Sequence, residues 1–141
     1  MRRDEHITDS RHFFDWLKKS NDDIKAAKIL KDNNGPNEIS AFHCQQAIEK
    51  ALKGYLLLKT KKHFDGHNLT FLCRQATKID KKFNEWLDES YSLNRFYIET
   101  RYPTDTPIGL EDLRLEKIYN MAKEMYDFIS AEIFGYEQIK R

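Results

Sequence analysis

The residues best placed to do chemistry lie at the end of the fourth predicted helix, where an inward-facing stripe stops on a charged side chain. The helical spacing that carries Asn94 and Tyr97 reaches Arg101 one turn later. An unpaired arginine is too costly to bury, so Arg101 must pair with a carboxylate, line a cleft or meet a second subunit. Tyr102 adds a ring for stacking on a base or a partner side chain, and Pro103 stops the helix. The same pattern also fits an arginine that only ends the helix and pairs with a nearby acid.

A second polar cluster lies on the second predicted helix, which carries Gln46, Glu49, Lys50 and Lys53. Lys50 and Lys53 are three residues apart and therefore share a helix face. Two lysines near an arginine suit a phosphate or an RNA backbone. The alternative for each lysine is a solvated helix face on which Glu49 screens the positive charge. The cluster becomes a candidate site if the fold brings Arg101 close to it.

The histidines do not predict a metal site. His63 and His67 have an i, i+4 spacing, but Gly66 breaks the helix between them and no third ligand follows. His43 lies in the middle of a helix beside the core stripe, as expected for a satisfied core or interface histidine. The sequence also has no glycine-rich phosphate loop, no Glu-x-x-His pair and no nucleophile signature. We therefore predict no metal and no cofactor.

The composition is that of an ordinary single domain. The chain has 141 residues, a formal charge of +1 and 33% charged residues of both signs, so no excess of one charge indicates nucleic acid. Cys44 and Cys73 are far apart and outside any CxxC motif, which favours reduced thiols. The longest apolar run is Leu56-Leu57-Leu58, far too short for a membrane span. We expect one domain over 1–141, a cytoplasmic location and no membrane association.

The apolar spacing between the Gly and Pro breaks is helical throughout. It predicts five helices, at about 8–32, 37–61, 68–79, 81–100 and 111–134. The apolar stripe of the first includes Ser20 and Ile24, and the inward face of the fourth includes Phe83, Ser90 and Asn94. Asn37 is the predicted cap of the second helix, and Leu113 begins the apolar stripe of the fifth. The small residues Ala47, Ala51 and Gly54 would let another helix approach closely. Short connections make neighbouring helices antiparallel, so the prediction is an all-α, up-and-down helical bundle.

Four segments in this order resemble the HEPN family (higher eukaryotes and prokaryotes nucleotide-binding). The resemblance covers most of the chain. The segments are an opening helix with Phe13, Trp16 and Ala26-Ala27; Gln45-Gln46-Ala47-Ile48-Glu49-Lys50-Ala51-Leu52-Lys53; His67-Asn68-Leu69; and Arg101-Tyr102-Pro103-Thr104-Asp105.

The resemblance implies a bundle of about five helices that commonly forms homodimers. Many prokaryotic members are encoded beside a minimal nucleotidyltransferase, often as a toxin–antitoxin pair, and some are implicated in nucleotide binding. A ribonuclease branch carries a histidine four to six residues after the arginine. No histidine follows Arg101 here, so the usual acid/base partner is missing.

We therefore expect a non-catalytic, homodimeric HEPN-type binding module that docks a minimal nucleotidyltransferase, a nucleotide or RNA. The expected binding residues are Arg101, Tyr102, Lys50, Lys53, Gln46 and Asn94. One alternative is a ribonuclease in which His43 replaces the missing histidine. Another is a purely structural dimerisation domain.

Overall fold

The computed structural model describes residues 9–97, 103 and 110–140, the last five of them by their backbone alone. Within these ranges the chain is all-α, as predicted, and contains no strand. Its α-helices are α1 (Phe13–Asp32), α2 (Asn37–Thr60), α3 (Leu69–Ile79), α4 (Leu87–Asn94) and α5 (Asp112–Lys140). Two 3₁₀ segments, Lys81–Trp86 and Arg95–Tyr97, flank α4. None of the described helices combines the length and the apolar character that a membrane span requires.

α2 is the central helix, and it packs against α1, α3 and α5. Its sequence allows this because apolar residues occupy most of its circumference, which is the pattern of a helix buried on several sides. The buried apolar residues of α2 are Ala41, Cys44, Ala47, Ile48, Ala51, Leu52, Tyr55, Leu56, Leu57 and Leu58. Only a narrow polar strip of α2 is left, and the candidate site lies on it.

α1 approaches α2 closely at Gly54, which confirms the expectation drawn from the small residues of α2. A Cβ atom at Gly54 would lie 3.2 Å from the carbonyl oxygen of Phe13 and 3.2 Å from Cβ of Trp16. Further along, Ser20 Oγ donates a hydrogen bond of 2.5 Å to the carbonyl oxygen of Ala47. These contacts hold the first turns of α1 closely against α2.

The fourth predicted helix, 81–100, is wrong as a single α-helix. Its first part is a 3₁₀ segment, because the backbone N–H of Phe83 bonds to the carbonyl of Asp80 three residues earlier, at 3.1 Å. The Asp80 side chain also accepts a hydrogen bond from the N–H of Lys82 at 3.0 Å, which fixes this tight turn. The predicted inward face survives, since Phe83 and Ser90 are both buried. Residues 98–100 lie outside the described ranges.

Three details at helix ends also differ from the prediction. α1 begins at Phe13, and described residues 9–12 precede it without helical structure. Asn37 is the first residue of α2 instead of its cap, and its Nδ2 donates to Asp112 Oδ1 at 2.8 Å, which ties α2 to α5. Leu113 is 79% exposed and does not belong to the core. α5 begins at Asp112 and turns Leu113 outward, so the first buried leucine of the helix is Leu115.

Both cysteines are buried and reduced, as predicted. Burial raises the pKa of the Cys44 thiol to about 12. The reactive thiolate fraction at pH 8 should then be far below that of an ordinary cysteine, whose pKa is about 8.5. We expect Cys44 in the folded protein to react with Ellman's reagent at least about a hundredfold more slowly than in urea. Equal rates in the two conditions would contradict the buried placement.

Candidate functional site

Glu49 is the centre of the polar strip on α2. It is only 4% exposed although it carries a carboxylate. Lys53 Nζ lies 3.2 Å from Oε2, and the side-chain amides of Gln45 and Gln46 donate to Oε1 at 3.4 and 3.3 Å. His67 Nδ1 lies 3.0 Å from both carboxylate oxygens. A buried charge is tolerated only when it is paired and hydrogen-bonded, and Glu49 meets both conditions.

His67 extends this network to the surface. An ionised carboxylate can only accept a hydrogen bond, so its contact with Glu49 assigns the proton to Nδ1 of the imidazole. The ring stacks on Tyr97, with ring centres 4.1 Å apart and planes inclined by 15°. Gln45 Nε2 also donates to the backbone carbonyl of His67 at 3.2 Å. The half-exposed imidazole is therefore held from two sides, in one orientation.

A second buried carboxylate, Asp23 of α1, meets the same face of α2. It is 8% exposed. Its Oδ2 lies 2.6 Å from Lys50 Nζ, and its Oδ1 lies 2.8 Å from His43 Nδ1. Asp23 was not among the residues predicted from the sequence, although it lies one turn from Ser20 and beside Ile24, both on the predicted apolar stripe of α1. That neighbourhood was the signal available for it. His43 is a satisfied histidine between two helices, as predicted.

Asn94 holds the start of α3. Its Oδ1 accepts a hydrogen bond of 2.5 Å from the backbone N–H of Leu69, one of the donors that a helix start leaves without an internal partner. Its Nδ2 donates to Asn68 Oδ1 and to Thr70 Oγ1, each at 3.1 Å. Asn68 is itself the N-cap of α3 and accepts from the N–H of Phe71. Asn94 thus fixes the segment that carries His67.

The structure brings together only part of the predicted site. Gln46, Lys50 and Lys53 lie on one face of α2, and each is bonded to a neighbouring side chain of the same chain. Asn94 bonds to the start of α3 instead of joining the two lysines. Arg101 and Tyr102 lie outside the described residues, so their position relative to this face stays a prediction. The lysines already have carboxylate partners, which the sequence alone left open.

The described side chains include no group of three or more His, Cys, Asp or Glu residues arranged to hold a metal ion. In both His43 and His67, Nδ1 of the imidazole contacts a carboxylate oxygen. What the arrangement offers chemically is a rigid, polar surface with two oriented imidazoles, one of them stacked on a tyrosine.

Comparisons with known proteins agree with this architecture. The chain matches the HEPN domain model over residues 14–133. It is similar to the crystal structure of TT1696 from Thermus thermophilus, with 25% identity, a TM-score of 0.76, and coverage of 86% of this chain and 98% of that one. It also has the fold of ST0689, described as an archaeal HEPN homologue, with 23% identity, a TM-score of 0.69, and coverage of 86% of this chain and 98% of that one. No curated protein matches the chain at a significant level. The family model covers most of the sequence and the bundle has the same fold as these structures, so the chain belongs to the HEPN family.

Proposed function

We propose that this HEPN domain is a non-catalytic, homodimeric binding module that docks a minimal nucleotidyltransferase, a nucleotide or both. The docking surface in this proposal is the polar face of α2 together with Arg101 and Tyr102. The observation that carries it is the pair of buried carboxylates, Asp23 and Glu49, that fix the polar ends of the side chains on this face.

Fixed side chains favour binding because little conformational entropy is lost when a partner arrives. Lys50 and Lys53 are held by carboxylates and His67 by a carboxylate and a ring. A surface of this kind offers hydrogen bonds in set directions. Its lysine charges are compensated, so in this proposal the attraction for a phosphate or an acidic partner comes from Arg101. Tyr97, which stacks on His67, precedes Arg101 by four residues.

The decisive variant is Arg101→Ala. We expect it to weaken binding by about tenfold or more, since a charge-assisted hydrogen bond contributes about 1.5–3 kcal/mol. Isothermal titration with ATP and GTP tests nucleotide binding, and co-purification with a minimal nucleotidyltransferase tests docking of that partner. Arg74→Ala removes an exposed arginine on α3 and is the matched control. Unchanged binding of both ligands by Arg101→Ala would refute the site.

Light scattering of the wild-type protein tests the proposed homodimer. A monomer at micromolar concentration would refute that part of the proposal.

One observation favours a second function, a ribonuclease with a displaced histidine. Asp23 Oδ1 lies 2.8 Å from His43 Nδ1, and a carboxylate in this position orients an imidazole for general acid–base work through its other nitrogen. The test is incubation of purified protein with transfer RNA or messenger RNA. Cleavage abolished by both Arg101→Ala and His43→Ala would establish this function in place of the first.

A further inference from the structure

The two buried carboxylates on the polar face of α2 have the same kinds of partner. Each contacts one lysine and one imidazole: the first group is Asp23, Lys50 and His43, and the second is Glu49, Lys53 and His67. Lysines and carboxylates ordinarily keep their charge between about pH 5 and 8, whereas an ordinary imidazole gains a positive charge as the pH falls through this range. The charges of the two lysines and the two carboxylates cancel. The net charge of these six side chains therefore depends on the two histidines.

The proton that changes this charge is added at the outer nitrogen of each ring. Nδ1 of His43 and Nδ1 of His67 each lie against a carboxylate oxygen, which can only accept a hydrogen bond, so Nδ1 carries the proton of the neutral ring. The second proton is then added at Nε2. The side chains of His43 and His67 are 29% and 48% exposed, so both rings are open to water. Protonation changes Nε2 from a hydrogen-bond acceptor to a donor, while Nδ1 keeps its carboxylate partner.

Other ionisable side chains near the two groups come from α1 and from the segments beside α3 and α4. Lys19 of α1 lines an open cavity together with Lys50. Tyr97, in the 3₁₀ segment after α4, stacks on His67, and the exposed Asp65 precedes His67 by two residues. Side chains of these three types ordinarily keep one charge state between about pH 5 and 8. They give a constant background, so the change of charge comes from the imidazoles.

We propose that pH switches the polar face of α2 between an electrically balanced state and a cationic state, and that the cationic state binds an acidic protein surface more tightly. Regulation of this kind presupposes the docking function proposed above. The two imidazolium groups of the cationic state have N–H donors at Nε2, which form charge-assisted hydrogen bonds with carboxylates. An arginine keeps its charge throughout this range, so Arg101 contributes to binding in both states and not to the difference between them.

The size of the charge change favours an acidic protein surface over RNA as the partner. The switch adds two charges to a face on which both lysines already have carboxylate partners. Binding of a phosphate backbone depends on many cations, often with about six to ten phosphate contacts. A few carboxylates on a folded partner match two added donors in number.

Nuclear magnetic resonance of the wild-type protein tests the switch without any partner. Nitrogen chemical shifts of the histidine rings report which nitrogen carries a proton, and a titration from about pH 8 to about pH 5.5 follows the addition of the second one. We expect His43 and His67 to carry the proton of the neutral ring on Nδ1, which is the minor form of free histidine in water. The carboxylates of Asp23 and Glu49 should stay ionised. A neutral ring protonated at Nε2, a ring still neutral at about pH 5.5, or uptake of the proton by either carboxylate overturns the switch.

Calorimetric titration with an oligo-aspartate peptide tests the consequence for binding. Its carboxylates stay ionised at both pH values used. We expect the affinity of the wild type to rise by about tenfold from about pH 8 to about pH 6, since each added charge contributes roughly threefold. The double variant His43→Asn/His67→Asn keeps an amide N–H near the position of Nδ1 but cannot gain charge, and its rise should be less than about threefold. His12→Asn removes the exposed histidine that precedes α1 and should keep the full rise.

The comparison of these variants separates the two histidines from the rest of the chain. His63, which packs against Trp16, is present in all of these proteins, so its own titration cancels. No rise in the wild type, or an equal rise in the double variant, overturns the proposal. An oligouridylate that gains more affinity than the peptide on acidification, and loses this gain in the double variant, overturns the acidic protein as the partner. A flat pH response combined with weakened partner binding in Arg101→Ala refutes only the switch and leaves the proposed function standing.

Discussion

Replacing Glu49 with alanine should lower the free energy of unfolding by about 3 kcal/mol or more, because it removes one member of a buried ion pair. Lys53 would keep a charge on a side chain that is only 12% exposed. The amides of Gln45 and Gln46 would lose their common acceptor, and His67 would lose the carboxylate that orients it. Small domains have a total stability of about 5–15 kcal/mol, so the loss would be a large share of it. Urea denaturation followed by circular dichroism measures it.

Two control variants distinguish the effect of the buried charge on the free energy of unfolding from the effect of removing any glutamate side chain. Glu124→Ala removes an exposed glutamate on α5 and should change the free energy of unfolding by less than about 0.5 kcal/mol. Lys53→Met in the Glu49→Ala background should restore part of the stability, because it removes the unpaired charge. The placement of Glu49 would be contradicted if Glu49→Ala and Glu124→Ala had equal effects, or if Lys53→Met made the double variant less stable than Glu49→Ala.

The polar character of the Glu49 face was predictable from the sequence, whereas its burial was not. The spacing on α2 correctly placed Gln46, Glu49, Lys50 and Lys53 on one polar side of the helix. It could not tell a solvated face from a polar strip between helices, because that depends on which neighbours pack beside it. α1 and the segment before α3 cover the strip. α1 brings Asp23 to Lys50, which lies 27 residues later in the sequence. The segment before α3 brings His67 to Glu49, which lies 18 residues earlier. Pairings at such separations follow from tertiary packing, which no local pattern contains.

Asn94 was selected because it continues the inward stripe towards Arg101. The structure does place it inward, where it bonds to the N–H of Leu69. Its inward direction was predictable from helical spacing, whereas its partner was not.

Helix positions were more predictable than helix types. Periodicity placed both ends of α2 and α3 to within about one residue, because long amphipathic patterns reflect the burial of a continuous face, but it began α1 at about 8 instead of Phe13 and ended α5 at about 134 instead of Lys140. It failed at 81–86, because Asp80 accepts hydrogen bonds from the backbone N–H groups of Lys82 and Phe83, and these compete with the α-helical pattern. Phe83 still points into the core. The inward position of a large apolar side chain was thus predicted correctly in a segment whose backbone conformation was not.

Phe83→Ala should lower the free energy of unfolding by about 3–5 kcal/mol, the range for truncating a buried phenylalanine. Phe83 is fully buried, with its ring centre 4.4 Å from that of Tyr55 and 5.0 Å from that of Phe128. The ring therefore joins the 3₁₀ segment to α2 and α5 at once, and alanine would leave a cavity where three elements meet. Thermal and urea denaturation measure the loss.

Hydrogen exchange distinguishes a local loss from a global one. Since 3₁₀ hydrogen bonds have poorer geometry than α-helical ones, we expect the amides of Lys81–Trp86 and those at the start of α4 to lose protection first in Phe83→Ala. Phe71→Ala is the matched control, because Phe71 is 44% exposed on α3 and should cost less than about 1 kcal/mol. Equal losses for the two variants would mean that Phe83 does not join these elements. Uniform loss of protection along α1 and α2 would mean that it stabilises the bundle only as a whole.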